Sequence, residues 1–308
     1  MRNAFADEVT QLAAQDHRIV LLSGDIGNRL FDRLRAQSPN QFINCGVAEA
    51  NMMGVAAGMA LSGLRPITYT ITPFTTTRCL EQIRVDVAYH EAPVIIVGTG
   101  SGLSYASLGP THHSLEDFAI LRAIPNMRVL SPWDAPSLRS VLRGALQDAT
   151  PTYIRIGKKG EKDILPAEKI ASIGRLTSVF TGEKVAIIAV GTVAGEAVQA
   201  VEDLRNHGVS ASLFLAHTVK PLPESDLQSL FERHSIVVTV EEHALAAGFG
   251  ESCVSFAQRC GFSGRSIPLG VPDVFLSKAG SQRYARQLVG IDSAAIVAAV
   301  RGLATPSS

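Results

Sequence analysis

The chain has 308 residues, of which 46% are apolar and 18% charged, and its formal net charge at pH 7 is zero. That length accommodates two domains of ordinary size, and that composition belongs to a well-packed globular protein rather than a disordered one. The neutral balance argues against a protein whose main task is to coat nucleic acid or an acidic membrane, and no apolar run approaches the roughly 18 residues needed to span a bilayer.

The first segment, MRNAFADEVTQLAAQD, carries acids and spaces Phe5, Val9 and Leu12 as one face of a helix. It reads as an amphipathic helix and not as a signal peptide. Short apolar, β-branched runs then recur at 19–22, 66–71, 94–97, 128–131 and 153–156, with helical patterns such as 80–89 and 135–146 between them. This alternation predicts a parallel sheet with helices on both faces. Near Gly157 the rhythm stops, and GKKGEKDILPAEKIASIGR, charged and interrupted by Gly and Pro, reads as a linker. The rhythm restarts with KVAIIAVGT, a helix over 195–206, VSASLFLAHT, a helix over 224–233, SIVVTVEE and a helix from about Phe249. The expectation is an α/β protein with two doubly wound domains, residues 1–157 and 184–308, joined by a linker over 158–183. The four cysteines, Cys45, Cys79, Cys253 and Cys260, form no CxxC pair. They suggest neither a zinc site nor a disulfide framework, and cytoplasmic residence is the default.

In an open α/β sheet, ligands bind beyond the carboxyl ends of the strands. Asp25, Phe74, the loop SGLSYASLGPTHHS and Arg155 fall at such ends. The loop is long for a strand-to-helix connection, and long loops in compact domains usually carry function. Its pair His112 and His113 can be surface or site on pattern alone. Glu49, in NCGVAEANMMGVAAGMALSG, is a lone acid where an apolar helix begins. On pattern alone it either complements the helix dipole or serves a site.

Taken together, GVAEANMMGVAAGMALSG, PFTTTRCLEQIRVDV, GPTHHSLEDFAILRAIPNMRVLSP, YIRIG, VKPL and VTVEEHALAAGFGE resemble, in the same order, the C-terminal half of transketolases and of 1-deoxyxylulose-5-phosphate synthases. The resemblance runs from about Val20 to Leu303. It implies a pyrimidine-binding domain of thiamine diphosphate enzymes followed by a transketolase C-terminal domain. It further implies that Glu49 hydrogen-bonds N1′ of the cofactor's aminopyrimidine. That bond favours the imino tautomer, whose nitrogen can take the thiazolium proton. By the same resemblance Phe74 stacks on the pyrimidine and Val47 helps hold the cofactor's bent shape. His112 contacts the ketol part of the donor, and Arg155, with Arg78, binds a substrate phosphate.

Two departures stand out. Many relatives have Asp where this chain has Leu108, and that acid contacts a substrate hydroxyl. The substrate here is therefore expected to be deoxygenated, differently configured or bound another way. Transketolases also often carry a His at the position of Gly100. A family member binds Mg²⁺ through G-D-G and a later Asn; GDIG with Asn51 imitates that spacing, but Asn51 lies inside the Glu49 motif and the match is read as chance. The acid-and-His run Glu241, Glu242 and His243 is read as shaping a strand–helix turn and a subunit contact rather than holding a metal.

Without G-D-G the diphosphate-binding domain is missing. The resemblance thus implies the β-type subunit of a split enzyme. Its α-type partner carries the diphosphate and Mg²⁺ site, in an α2β2 tetramer that acts on small phosphorylated sugars. Transfer of a two-carbon ketol unit is the favoured activity. Decarboxylative ligation of pyruvate to an aldehyde, the β subunit of a 2-oxo acid dehydrogenase, and a non-catalytic scaffold are the alternatives.

Overall fold

A computed structural model describes residues 1–27 and 29–304. Strands β1 (Ile19–Ser23), β2 (Phe42–Asn44), β3 (Arg65–Ile71), β4 (Ile95–Thr99), β5 (Arg128–Leu130) and β6 (Thr152–Ile156) pair in parallel. Residues 19–23 show why both faces of this sheet are covered. Ile19 and Leu21 pack with Phe5 and Val9 of the helix Arg2–Gln15 and with Leu138 and Val141 of the helix Ala135–Asp148. Val20 and Leu22 point to the other side, against Met52, Met53 and Ala56 of the helix Glu49–Leu61. Alternation along the strand sends successive side chains into opposite layers. A strand buried on both faces therefore reads as a continuous apolar run.

The second half forms its own sheet from β7 (Leu176–Phe180), β8 (Val185–Val190), β9 (Ala211–Ala216), β11 (Ile236–Ala244) and β12 (Arg265–Val271), in the order β12-β11-β8-β9-β7. The two-domain α/β architecture is as the alternation predicted, and two details differ. Residues 176–180, inside the stretch read as linker, form an edge strand antiparallel to β9. Thr177 and Ser178 interrupt its apolar residues, so no apolar run marks it. The other detail is β10 (Thr218–Lys220), which leaves the second domain and joins the first sheet antiparallel to β5, giving the order β10-β5-β6-β4-β3-β1-β2. Ser131 N donates to His217 O at 2.7 Å, and the Lys220 ammonium caps Arg122 O at 3.0 Å. Three residues carry no periodicity; only the neighbouring sheet edge makes them a strand.

A buried polar cluster locks the two sheets together. Arg155 of β6 is 2% exposed. It donates through Nη2 to Ser114 O at 2.7 Å and to Glu242 O of β11 at 2.6 Å, and its guanidinium lies 4.3 Å from the Phe118 ring centroid. Asp117, at the start of the helix Asp117–Ala123, sits 3.4 Å from Arg155 Nε and accepts from the Tyr153 hydroxyl at 2.7 Å. Glu241 accepts the N–H groups of Phe249 (2.9 Å) and Gly250 (2.7 Å), capping the helix Phe249–Arg259; burial raises its pKa to about 7. His243 stacks on Phe118 at 5.0 Å.

His243 is held in its neutral form. Its Nε2 accepts from Ala119 N at 3.3 Å, so the proton sits on Nδ1, which donates to Ala244 O at 2.7 Å. Burial lowers its pKa from 6.5 to about 4, so the folded state binds this proton less readily than the unfolded one. Its share of stability is complete above pH 6.5 and is lost as pH falls through about 4. Thermal melts between these pH values are expected to show a decline that is shallower in His243→Gln, by up to about 3 kcal/mol. Parallel curves for the two proteins would contradict this role.

Candidate active site

The site is assembled at the carboxyl ends of β1 to β4 and β6. At the end of β2, Asn44 Oδ1 accepts from Gly46 N at 3.0 Å, and Asn44 Nδ2 donates to Asp25 Oδ1 at 2.8 Å. This turn, with Gly46 at φ 69°, delivers Glu49 as the first residue of its helix. Glu49 is 3% exposed and lies in the first turn of its helix, where negative charge is favoured. The fit depends on Gly24 at the end of β1: a Cβ there would lie 3.1 Å from Thr70 Oγ1 and 3.4 Å from Glu49 Cγ.

After β3 the chain turns through Thr72–Thr75 and presents Phe74, half-buried, with Arg78 shortly beyond. Arg78 Nη1 donates to Glu49 Oε2 at 2.7 Å, while its guanidinium lies 4.4 Å from the centre of the Phe74 ring. Among the described residues Glu49 has no other hydrogen-bond partner. Cys79 lies behind this pair. Burial, reinforced by the Glu49 charge, pushes its thiol up to about 12, so it is not a nucleophile near neutral pH.

The loop after β4 supplies the rest. It is pinned at both ends: Gly100 N and Ser101 N both donate to Ile156 O, at 2.9 and 3.0 Å, and Ser114 N donates to Gly102 O at 3.0 Å. Between these pins, His112 approaches Phe74 edge-on at 5.4 Å and Tyr105 at 5.9 Å. Lys158, just past β6, lies with Nζ 4.4 Å from the Tyr105 ring centroid. One continuous row results: Glu49, Arg78, Phe74, His112, Tyr105, Lys158. His113 turns inward. It is 5% exposed and burial lowers its pKa.

Residues 1–160 match the family described as transketolase, pyrimidine binding domain, and residues 174–296 match the transketolase C-terminal domain. The chain belongs to the transketolase family. It is 32% identical to a subunit of the apulose-4-phosphate transketolase of Phocaeicola vulgatus, covering 88% of this chain and 87% of that protein. It is 34% identical to the 6-deoxy-6-sulfo-D-fructose transketolase subunit SqwH of Clostridium sp. (strain MSTE9), covering 97% and 92%. Among solved structures, a split gene transketolase described as an inactive beta4 tetramer superposes with a TM-score of 0.88 at 29% identity, covering 98% and 97%. The chain is thus a transketolase-type enzyme subunit.

Within the transketolase fold, four of the six residues singled out from the sequence come together: Glu49, Phe74, Arg78 and His112. Val47 stands beside Glu49 but projects outward, 76% exposed. Arg155, expected at a substrate phosphate, lies apart from them: it is buried between the domains, with Ser114 O, Glu242 O, Asp117 and Phe118 around its guanidinium. The reason is positional: Arg155 lies inside β6, one residue before its end, where side chains enter the layers flanking the sheet. The cation at the rim is Lys158, beyond the strand. Sequence reasoning missed it, although its position just past an apolar run was a usable signal.

Arg155→Met leaves Asp117 buried without its cation. It is expected to lower stability by about 3–5 kcal/mol in urea unfolding. Unchanged stability would contradict this structural role for Arg155.

Proposed function

We propose that this chain is the β-type subunit of a split thiamine diphosphate-dependent transketolase, and that it moves a two-carbon ketol unit from a ketose phosphate to an aldose. The observation that carries this reading is the buried Glu49 carboxylate at a helix start, with one oxygen committed to Arg78 and Phe74 close by. These side chains fit the aminopyrimidine end of the cofactor: a shielded acid suits a ring nitrogen, a half-buried aromatic face suits a flat heterocycle, and the outward Val47 suits an apolar surface brought from outside. When bound, thiamine diphosphate supplies the carbon nucleophile and electron sink of ketol transfer. Glu49 polarises the ring nitrogen, and Arg78 holds the Glu49 side chain in position. His112, half-buried with Nδ1 2.9 Å from Thr111 Oγ1, can exchange a proton with a substrate oxygen.

The diphosphate and Mg²⁺ are assigned to a separate α-type chain carrying the G-D-G motif, in an α2β2 assembly. Two similar proteins are named as subunits, and a similar β chain assembled alone is described as inactive, which supports a two-chain enzyme. A second reading, ligation of pyruvate to an aldehyde, draws on 34% identity to the 1-deoxy-D-xylulose-5-phosphate synthase of Aquifex aeolicus; the match spans 97% of this chain and 48% of that protein. Leu108, 51% exposed on the site loop, favours a substrate with no hydroxyl to be matched there, such as a deoxygenated sugar.

Co-purified α and β chains, with thiamine diphosphate and Mg²⁺, are expected to turn over ketose phosphates with aldose acceptors, and neither chain alone is. Glu49→Gln should lower kcat by about 100-fold or more. Full activity of that variant would sink the catalytic reading, and pyruvate as the only productive donor would select the ligase.

A further inference from the structure

Tyr105 is placed unlike any other aromatic residue of the site. Gly100, at φ 91°, opens the site loop, and the Tyr105 ring fills the space above it. A Cβ on Gly100 would fall 2.1 Å from Tyr105 Cε2 and 2.3 Å from Cδ2. The ring therefore occupies the volume that any side chain at 100 would need. Its far neighbours are His112, at 5.9 Å between ring centroids, and the Lys158 ammonium, at 4.4 Å from its own centroid.

Tyr105 as a whole is 7% exposed, yet its hydroxyl bonds no described residue and is not sealed from solvent. A buried tyrosine normally finds a partner for its hydroxyl, so a free one beside a site is a group awaiting a ligand. Burial raises the phenol's pKa, which keeps it a proton donor. Lys158 is equally uncommitted, with no carboxylate in ion-pair range among the described residues. Arg2 donates to the Lys158 carbonyl at 3.2 Å and adds a second positive charge nearby. Desolvation and these neighbouring cations lower the Lys158 pKa, a strain that a bound anion would relieve. The hydroxyl donor sits on a loop pinned at Ile156 O and Gly102 O, and Lys158 follows β6 two residues beyond Ile156, its carbonyl held by Arg2, so neither requires a large rearrangement to receive a ligand.

We propose that Tyr105 is a substrate-binding and specificity-determining residue: its hydroxyl and the Lys158 ammonium together receive an oxyanion, phosphate or sulfonate, at the end of the substrate remote from Glu49. This placement of the substrate rests on the assignment of Glu49 and Phe74 to the cofactor. The oxyanion contact itself does not.

The test uses inorganic phosphate and methanesulfonate as probes, titrated calorimetrically into the full chain and into the α–β complex. Tyr105→Phe keeps the ring on Gly100 and beneath Lys158, and an unchanged Tm checks that packing. Loss of a hydrogen bond to a charged ligand should weaken binding of the favoured oxyanion about tenfold, and raise KM for the anionic substrate by a similar factor with kcat little changed. Lys158→Met should weaken it further. Equal affinity of wild type and Tyr105→Phe, or no saturable binding by wild type, overturns the proposal. Phosphate or sulfonate binding that follows Tyr105, in a complex without thiamine diphosphate-dependent turnover, upholds it and removes only the functional reading above.

Discussion

The guanidinium of Arg155 ties β6, the end of the site loop, the helix Asp117–Ala123 and β11 of the second domain to a single point. It is a charge held away from water, a costly arrangement unless its partners are in place. Here the partners are two carbonyls, a carboxylate and an aromatic face. Because they come from three segments, the end of the site loop, the helix Asp117–Ala123 and β11, satisfying the guanidinium fixes the mutual positions of those segments. Through Ser114 O it sets where the end of the loop carrying Tyr105 and His112 can lie. Glu242 serves the same junction from the other side. Its carbonyl meets Arg155, and its carboxylate accepts from Arg286 Nε at 2.6 Å and from Gln282. Gly102 allows this closeness, since a Cβ there would fall 2.5 Å from Glu242 Oε2.

On that frame the site takes the form of a row of three rings between two cations: Arg78 on Phe74, Phe74 beside His112, His112 beside Tyr105, Tyr105 beneath Lys158. Contacts of this type are each weak, about 0.5–2 kcal/mol. Their value lies in order: each side chain limits the rotamers of the next, so the row is set before a ligand arrives. The buried acid Glu49 stands at one end of the row, and the ammonium of Lys158 stands at the other. A small substrate lying between them would meet opposite charges at its two ends.

The site is also open on one side. Val47 lies next to the buried Glu49 yet is 76% exposed, and Leu61 and Tyr89, at the far ends of two helices packed on the same sheet face, are 60% and 78% exposed. A large apolar side chain left in water beside a buried carboxylate, as Val47 is, is what half of a composite site looks like. The chain spans 92% of the related subunit SqwH and 48% of the related 1-deoxy-D-xylulose-5-phosphate synthase of Aquifex aeolicus.

Much of this protein could be read in one dimension. Runs such as 19–22 and 153–156 announced strands buried on both faces, because a strand covered twice must be apolar throughout. The Glu49 motif and the G-P-T-H loop were legible because a site at strand ends draws on residues that follow those runs directly. Edge strands were not legible: Leu176–Phe180 and Thr218–Lys220 are short and defined only by the strand they pair with. Nor could the sequence divide the work between Arg155 and Lys158, two basic residues at the end of one strand. Which of them is buried depends on where β6 stops and on what packs above it, and those are facts of the tertiary structure. The same holds for Tyr105, whose place over Gly100 follows from a loop closed by hydrogen bonds to β6. Chain pattern determined the layers and the acid at the helix start; long-range packing decided which side chains reach the rim and which hold the frame.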